Sequence, residues 1–242
     1  MNNALVKKLE GYVPLDAEDK RLLDSVLQEP RTVVPRVDIA SEGEKPVFVH
    51  LILDGFACRY KFTAEGSRQI MAYLLPGDFC DLHVFVLKHM DHSIGTISKC
   101  TVVDIPRDQI LKLLERPRLS LALWCCALVD AAVLREWLLN VGQRHAAQRL
   151  AHVLCELLVR LRIVGLADNS YELPLTQSDL ADTIGTSNVH LNRVLQELRR
   201  AKLIAWKGHH LVILDIEQLM KFSGFNPNYL HVGKDGADEL AL

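Results

Sequence analysis

The chain has 242 residues, 49% of them hydrophobic and 24% charged, and a formal net charge of -2 at pH 7. That length exceeds a usual single domain and the apolar share can fill real cores, so two domains are expected. A near-neutral balance counts against a nonspecific nucleic-acid coat, and the cysteines Cys58, Cys80, Cys100, Cys125, Cys126 and Cys155 show no CxxC pair or disulfide framework, which fits reduced thiols.

The opening MNNALVKKLEGYVPLDAEDK has no continuous apolar run, so no signal peptide is expected and the protein is placed in the cytoplasm. From Arg31 to Ile105 short β-compatible runs alternate with turns, the pattern of an antiparallel roll. Phe48 to Leu53 and Phe56 to Phe62 flank Asp54-Gly55, a hairpin dipeptide, and Arg68 to Leu75 follows a turn at Ala64 to Ser67. Pro76-Gly77-Asp78 ends that strand. Next, Cys80, Asp81, His83, His89, Asp91 and His92 crowd into a short segment, all residue types that ligate metals. No zinc-site spacing is met, so the plain alternative is a surface loop with solvated histidines.

Asp108 to Val141 is helical by pattern, broken at Pro117. From Leu119 to Leu134 only Ser120 and Asp130 are polar, so this helix must be covered on nearly every side. A membrane span competes, but the apolar run is short and holds Asp130; a helix packed on its own domain and on a second copy is the better account. Asn140-Val141-Gly142 is the expected hinge. Arg144 to Ile163 is amphipathic, with Leu150, Val153, Leu154, Leu157, Leu158 and Leu161 in one stripe, and Gly165 to Pro174 is a polar loop.

Thr176 with Asp179 makes a capping-box start, Leu180 and Ile184 face inward, and Gly185 can end the helix in the left-handed conformation. Ser187 caps a second helix whose Leu191, Val194, Leu195 and Leu198 form a buried stripe. Two short helices around a glycine turn read as a helix-turn-helix, with double-stranded DNA as the expected partner; the plain alternative is an αα-hairpin in a helical bundle with solvated polar residues. The other face leaves Asn188, Val189, Asn192 and Arg193 for base edges: Arg suits guanine, Asn adenine, and Val a thymine methyl. Thr176, Gln177, Ser178, Ser187 and His190 stand near helix N-termini as phosphate contacts, with Lys207 at the tip of a following hairpin, Leu203 to Leu214. Residues after Phe222 are rich in Gly, Asn and Asp and are expected to be a mobile tail. No internal repeat is evident.

These residues resemble the Crp/Fnr family of bacterial transcription regulators over nearly the whole chain. The Gly185-Thr186-Ser187 turn followed by Arg193, and the run DGFACRYKFTAEGSRQIMAYLLPGDF, carry the resemblance. It implies a homodimer on a palindromic site, with Ala167, Asp168 and Asn169 as candidates to touch RNA polymerase. Asn188 and Val189 depart from the arginine and glutamate that best-known members place after the serine. In the roll, cyclic-nucleotide binders continue with Gly-Glu for the ribose and a later Arg-Ser or Arg-Thr for the phosphate. Here stand Cys80-Asp81-Leu82, and His92-Ser93 preceded by Asp91, so cAMP is not expected as effector. Cys80, Asp81, His83, His92 and Ser93 remain the candidate effector pocket. No cofactor is expected, although a haem-binding branch of the family makes Cys80 and His83 the residues to test for haem or metal. The iron-sulfur branch uses cysteines nearer the N-terminus than Cys58.

The expected fold class is α+β. A β-roll of cyclic-nucleotide-binding type with an N-terminal helical segment occupies 1–107, a connecting and dimerisation helix 108–141, a winged helix-turn-helix 142–222, and a tail 223–242. The expected function is sequence-specific transcription regulation without chemistry or membrane. The alternative from another class is a cupin-like metal-dependent enzyme using Cys80, His83, His89 and His92.

Overall fold

A computed structural model describes residues 4–82, 86 and 88–231. Helices α1 (Ala4–Glu10) and α2 (Ala17–Val26) precede strands β1 (Arg31–Val33), β2 (Asp38–Ala40), β3 (Phe48–Asp54), β4 (Ala57–Phe62), β5 (Arg68–Leu74), β6 (Ser93–Thr96) and β7 (Cys100–Pro106). These strands form two antiparallel sheets, ordered β1-β7-β3 and β2-β6-β4-β5. Leu51, Ile52, Leu74, Ile94, Val102 and Ile105 fill the space between them.

The Asp54-Gly55 hairpin is a correction. β3 pairs with β7, whereas β4 pairs with β5 and β6. The dipeptide is therefore a corner where the chain passes from one sheet to the other. Gly55 has φ +89°, and a Cβ there would lie 2.2 Å from the Lys99 carbonyl oxygen, so the corner has room for glycine alone.

α3 (Arg107–Leu114) leads to α4 (Pro117–Gln143), which Pro117 opens at its first turn, where its missing N–H costs nothing. The helix runs through the expected hinge. The break falls at Arg144, whose φ of −85° and ψ of 153° are extended. Asn140 is instead buried and donates to the Arg149 carbonyl at 3.2 Å, stapling the two helices across the break. α5 (Ala146–Ile163) buries the expected leucine stripe and more, because His152 and Glu156 on its opposite side are also buried.

β8 (Ser170–Glu172) lies inside the stretch read as a loop. α6 (Gln177–Ile184), α7 (Asn188–Arg200), β9 (Ile204–Lys207), β10 (His210–Ile213) and α8 (Ile216–Ser223) follow. The wing is a three-stranded sheet ordered β8-β10-β9. The expected mobile tail is corrected for its first residues: Phe225, Tyr229 and Leu230 are buried, and a 3-10 turn at Pro227–Leu230 packs on α4. Tyr229 donates to Glu156 at 2.8 Å and its ring stacks on His152. The aromatic residues hidden among Gly and Asn were the missed signal. Residues 232–242 lie outside the described chain.

Candidate nucleic-acid interface

Local chemistry builds the two helices around the glycine turn. Thr176 Oγ1 accepts from the Asp179 N–H at 3.2 Å, and Asp179 Oδ2 accepts from the Thr176 N–H at 2.8 Å, the reciprocal capping box. Gly185 closes α6 at φ 64°, in the left-handed region. Two residues on, Ser187 Oγ accepts from the His190 N–H at 3.3 Å and opens α7. Leu191, Val194, Leu195 and Leu198 are all buried on one side of α7, against α5 and the wing.

That packing presents the opposite side to solvent. Asn188, Val189, His190, Asn192 and Arg193 are exposed, Val189 at 66%. Asn192 donates to the Asn188 carbonyl at 3.1 Å, so one of its amide hydrogens is engaged within the helix. Thr176, Gln177, Ser178 and Ser187 are exposed at the first turns of the two helices, where free backbone N–H groups favour anions. Lys207 is exposed at the wing tip, joined to His210 across the Gly208-His209 loop. The surface carries donors suited to phosphates and base edges, with no buried reactive group among these residues.

The back of α6 faces the roll. Asp179 is fully buried and accepts a bidentate pair from Arg36, both contacts at 2.7 Å, and a third from Arg68 at 2.7 Å. The capping signal was legible in sequence. Its second use was not, because the arginines are more than a hundred residues away, at separations of 143 and 111.

In the roll, the segment read as a possible metal or effector cluster is spread apart. Cys80 is fully buried and its thiol is pushed well up by that burial, so it is no poised ligand. His92 lies between two carboxylates, Nε2 at 3.0 Å from Asp81 and Nδ1 at 2.8 Å from Asp91. Burial opposes its protonation, yet these contacts outweigh it and raise its pKa. His89 is exposed, 3.2 Å from the Gly43 carbonyl, and Ser93 Oγ accepts from the Glu42 N–H. His83 lies outside the described residues. Among the described residues no three His, Cys, Asp or Glu side chains converge on a metal position.

Arg59 on β4 is the residue the sequence reading missed. Its guanidinium enters the roll, donates to the Cys80 carbonyl at 2.7 Å and to Asp130 on α4 at 2.6 and 2.7 Å, and stands 3.9 Å from Asp81. The chain His92, Asp81, Arg59, Asp130 thus runs from the residue before β6 to the long helix. The cavity beside it, between roll and α4, is about 60 Å³. A second cavity of about 250 Å³ opens at the roll mouth, lined by Ile39, Phe48, His50, Asp81, Met90 and Ile94. A lone arginine inside the alternating ACRYKF run was the available signal.

α4 is long and apolar enough to cross a membrane by length and composition. Its burial pattern gives another account of that composition. One side packs on the roll and α5 through Ala122, Cys126, Val129, Val133 and Trp137. The other exposes Leu121, Trp124, Leu128, Ala131, Arg135 and Leu138, spaced three and four apart, with Trp124 at 63% and Leu138 at 75%.

Residues 148–222 match the Crp-like helix-turn-helix domain, and residues 30–117 match the cyclic nucleotide-binding domain. Over 182 residues the chain is 29% identical to the transcriptional activatory protein AadR of Rhodopseudomonas palustris, covering 75% of each. It is 26% identical over 178 residues to the nitrogen fixation regulation protein FixK of Bradyrhizobium diazoefficiens, covering 73% of this chain and 74% of that one. The solved structure of FixK2 from Bradyrhizobium japonicum superposes with a TM-score of 0.72 at 22% identity, covering 80% of this chain and 96% of that one.

Proposed function

From the premise that this chain belongs to the Crp/Fnr family of DNA-binding transcription regulators, we propose that it works as a homodimer on a palindromic site without cAMP. It is a regulator and not an enzyme, which sets the cupin-like alternative aside. The observation that carries the proposal is the exposed polar face of α7 on a helix whose other side is fully packed. Asn188, Val189, Asn192 and Arg193 are assigned to base edges in the major groove, and Thr176, Gln177, Ser178, Ser187, His190 and Lys207 to phosphates.

The exposed stripe from Leu121 to Leu138 supports self-association. Its positions fit an a/d heptad, so a second α4 would cover it. Two-fold symmetry of that seam then carries over to the DNA site. The sensor, helix and reader boundaries proposed from sequence suit this arrangement, with the pivot moved to Arg144. Asp168 and Asn169, exposed beside the wing, are assigned to RNA polymerase, and a DNA-bound regulator of this kind works in the cytoplasm.

The effector pocket is proposed at the Cys80, Asp81, His92 and Ser93 end of the roll, beside the mouth cavity, with His83 named alongside them from sequence alone. A cyclic phosphate does not fit there. Asp81 is buried, His92 is committed to two carboxylates, and Arg59 is committed to Asp130. The space between roll and α4 is also far below the ~300 Å³ of ordinary small-molecule sites.

Selection of bound fragments from random DNA, with and without cAMP, tests this. An inverted repeat recovered equally in both arms is expected. Recovery only with cAMP would overturn the effector reading, and recovery of no sequence would overturn the whole.

A further inference from the structure

We propose that Arg36 and Arg68 of the β-roll are positioning residues for DNA recognition: by gripping Asp179 and Asp182 on the back of α6, they set the half-site spacing that the dimer accepts. This rests on the palindrome reading above and goes beyond it to what fixes the geometry.

The contact is built, not incidental. Arg36 reaches both Asp179 oxygens at 2.7 Å from a backbone at φ 65°, a left-handed conformation that non-glycine residues adopt infrequently. Arg68 bridges two turns of α6, donating at 2.7 Å to Asp179 and at 2.7 Å to Asp182. Beside it on β5, Gln69 donates to the Thr183 carbonyl at 3.2 Å, and the Tyr73 hydroxyl meets Thr183 Oγ1. One guanidinium fork seated on Asp179 and a second spread over Asp179 and Asp182 restrain direction as well as distance, so α6 cannot turn about its axis without breaking them.

The grip holds the reader without covering it. Asp179 and Thr183 are buried against the roll, while Gln177, Ser178, Asn188 and Arg193 stay exposed. The turn at Gly66 and Ser67 borders an open groove beside Gly185 to Ser187 rather than filling it. The covalent link from α4 to the reader passes through the extended Arg144, where a rotation would swing the reading heads. A ribbon of ion pairs away from that pivot removes this freedom. In a dimer, the angle of each head fixes the separation between the two α7 helices, and DNA reports that separation as half-site spacing.

The test uses the full-length dimer and DNA carrying one selected half-site as an inverted repeat with varied spacers. The wild-type protein is expected to prefer one spacer sharply. In Arg36→Gln and Arg68→Gln the preferred half-site sequence should be unchanged, while preference for the best spacer over one a base pair longer falls about tenfold. Arg68→Lys, which keeps charge but loses the fork, should fall between. Melting temperature and dimer mass control for folding, because either substitution withdraws a partner from the buried Asp179. A spacing profile identical to wild type in folded variants would overturn the inference alone, as would tighter binding at every spacer. A wild-type protein that selects no inverted repeat would overturn the dimer reading first.

Discussion

The roll and the reader bury different things. The roll and its contacts with the long helices enclose charge: Lys8, Asp78 and Arg160 in one cluster, and His92, Asp81, Arg59 and Asp130 in another. The two reader helices enclose hydrocarbon from Leu180, Ile184, Leu191, Val194, Leu195 and Leu198, and their buried polar side chains, Asp179 and Thr183, both face the roll. A core of hydrocarbon is close-packed but is held by burial that has no direction. Paired charges have one good arrangement and steep penalties when a partner is lost.

Removing one partner in the roll should give the largest effect. Arg59→Ala leaves Asp81 and Asp130 without their guanidinium and is expected to cost about 3–5 kcal/mol in denaturant unfolding. The double variant Arg59→Met with Asp130→Leu should recover most of that and leave the dimer intact, since Asp130 faces the roll and not the exposed stripe. Recovery of none would mean that the charges themselves hold the roll together.

Leu198→Ala, the matching lesion in the reader, is expected to cost about 3 kcal/mol through its cavity. Its signature should be independence from pH.

Acid sharpens that contrast. Asp78 is held down to about 2: burial raises it, and Lys8 and Arg160 outweigh the burial. A carboxylate depressed on folding stabilises above its unfolded pKa of 3.8, and that stability is lost as pH falls towards about 2. Asp78 should account for about 2 kcal/mol of the acid loss, so Asp78→Asn should lose about that much less than wild type in thermal melts across that window, the remainder coming from Asp104 and Asp179, which folding also depresses. Equal acid sensitivity in both would place the effect elsewhere.

Arg193→Ala should do least to stability, within about 0.5 kcal/mol, because the side chain is exposed. In competition binding it should cost about 1–3 kcal/mol and relax preference at one base position. A loss uniform over all sequences would reassign Arg193 to a phosphate.

The same contrast governs what could be read in advance. The reader was legible because its determinants are local: Thr176 to Asp179, Ser187 to His190, a glycine between, and leucines at helical spacing. The roll was legible as a fold and not as a site. Arg59 and Asp130 are 71 residues apart, and nothing in either neighbourhood announces the pair. The Asp54-Gly55 turn has hairpin chemistry but joins two sheets, because the pairing of β3 with β7 rather than with β4 is a long-range choice. Asn140 and Gly142 suggested a hinge on composition, whereas the helix is carried past them by packing and by the bond to Arg149.

The long helix has a consequence for how such a molecule can change length. Leu128 points to the exposed stripe and Asp130 to Arg59, only two residues away on the same helix. One residue inserted between them would turn everything beyond it by about 100°, delivering Asp130 to the seam in place of Ala131 and leaving Val129 or the inserted residue opposite Arg59. Insertions and deletions here restore the facing of both sides together only near whole numbers of turns, in steps of about seven or eleven residues. The span from sensor to reader behaves as a quantised ruler.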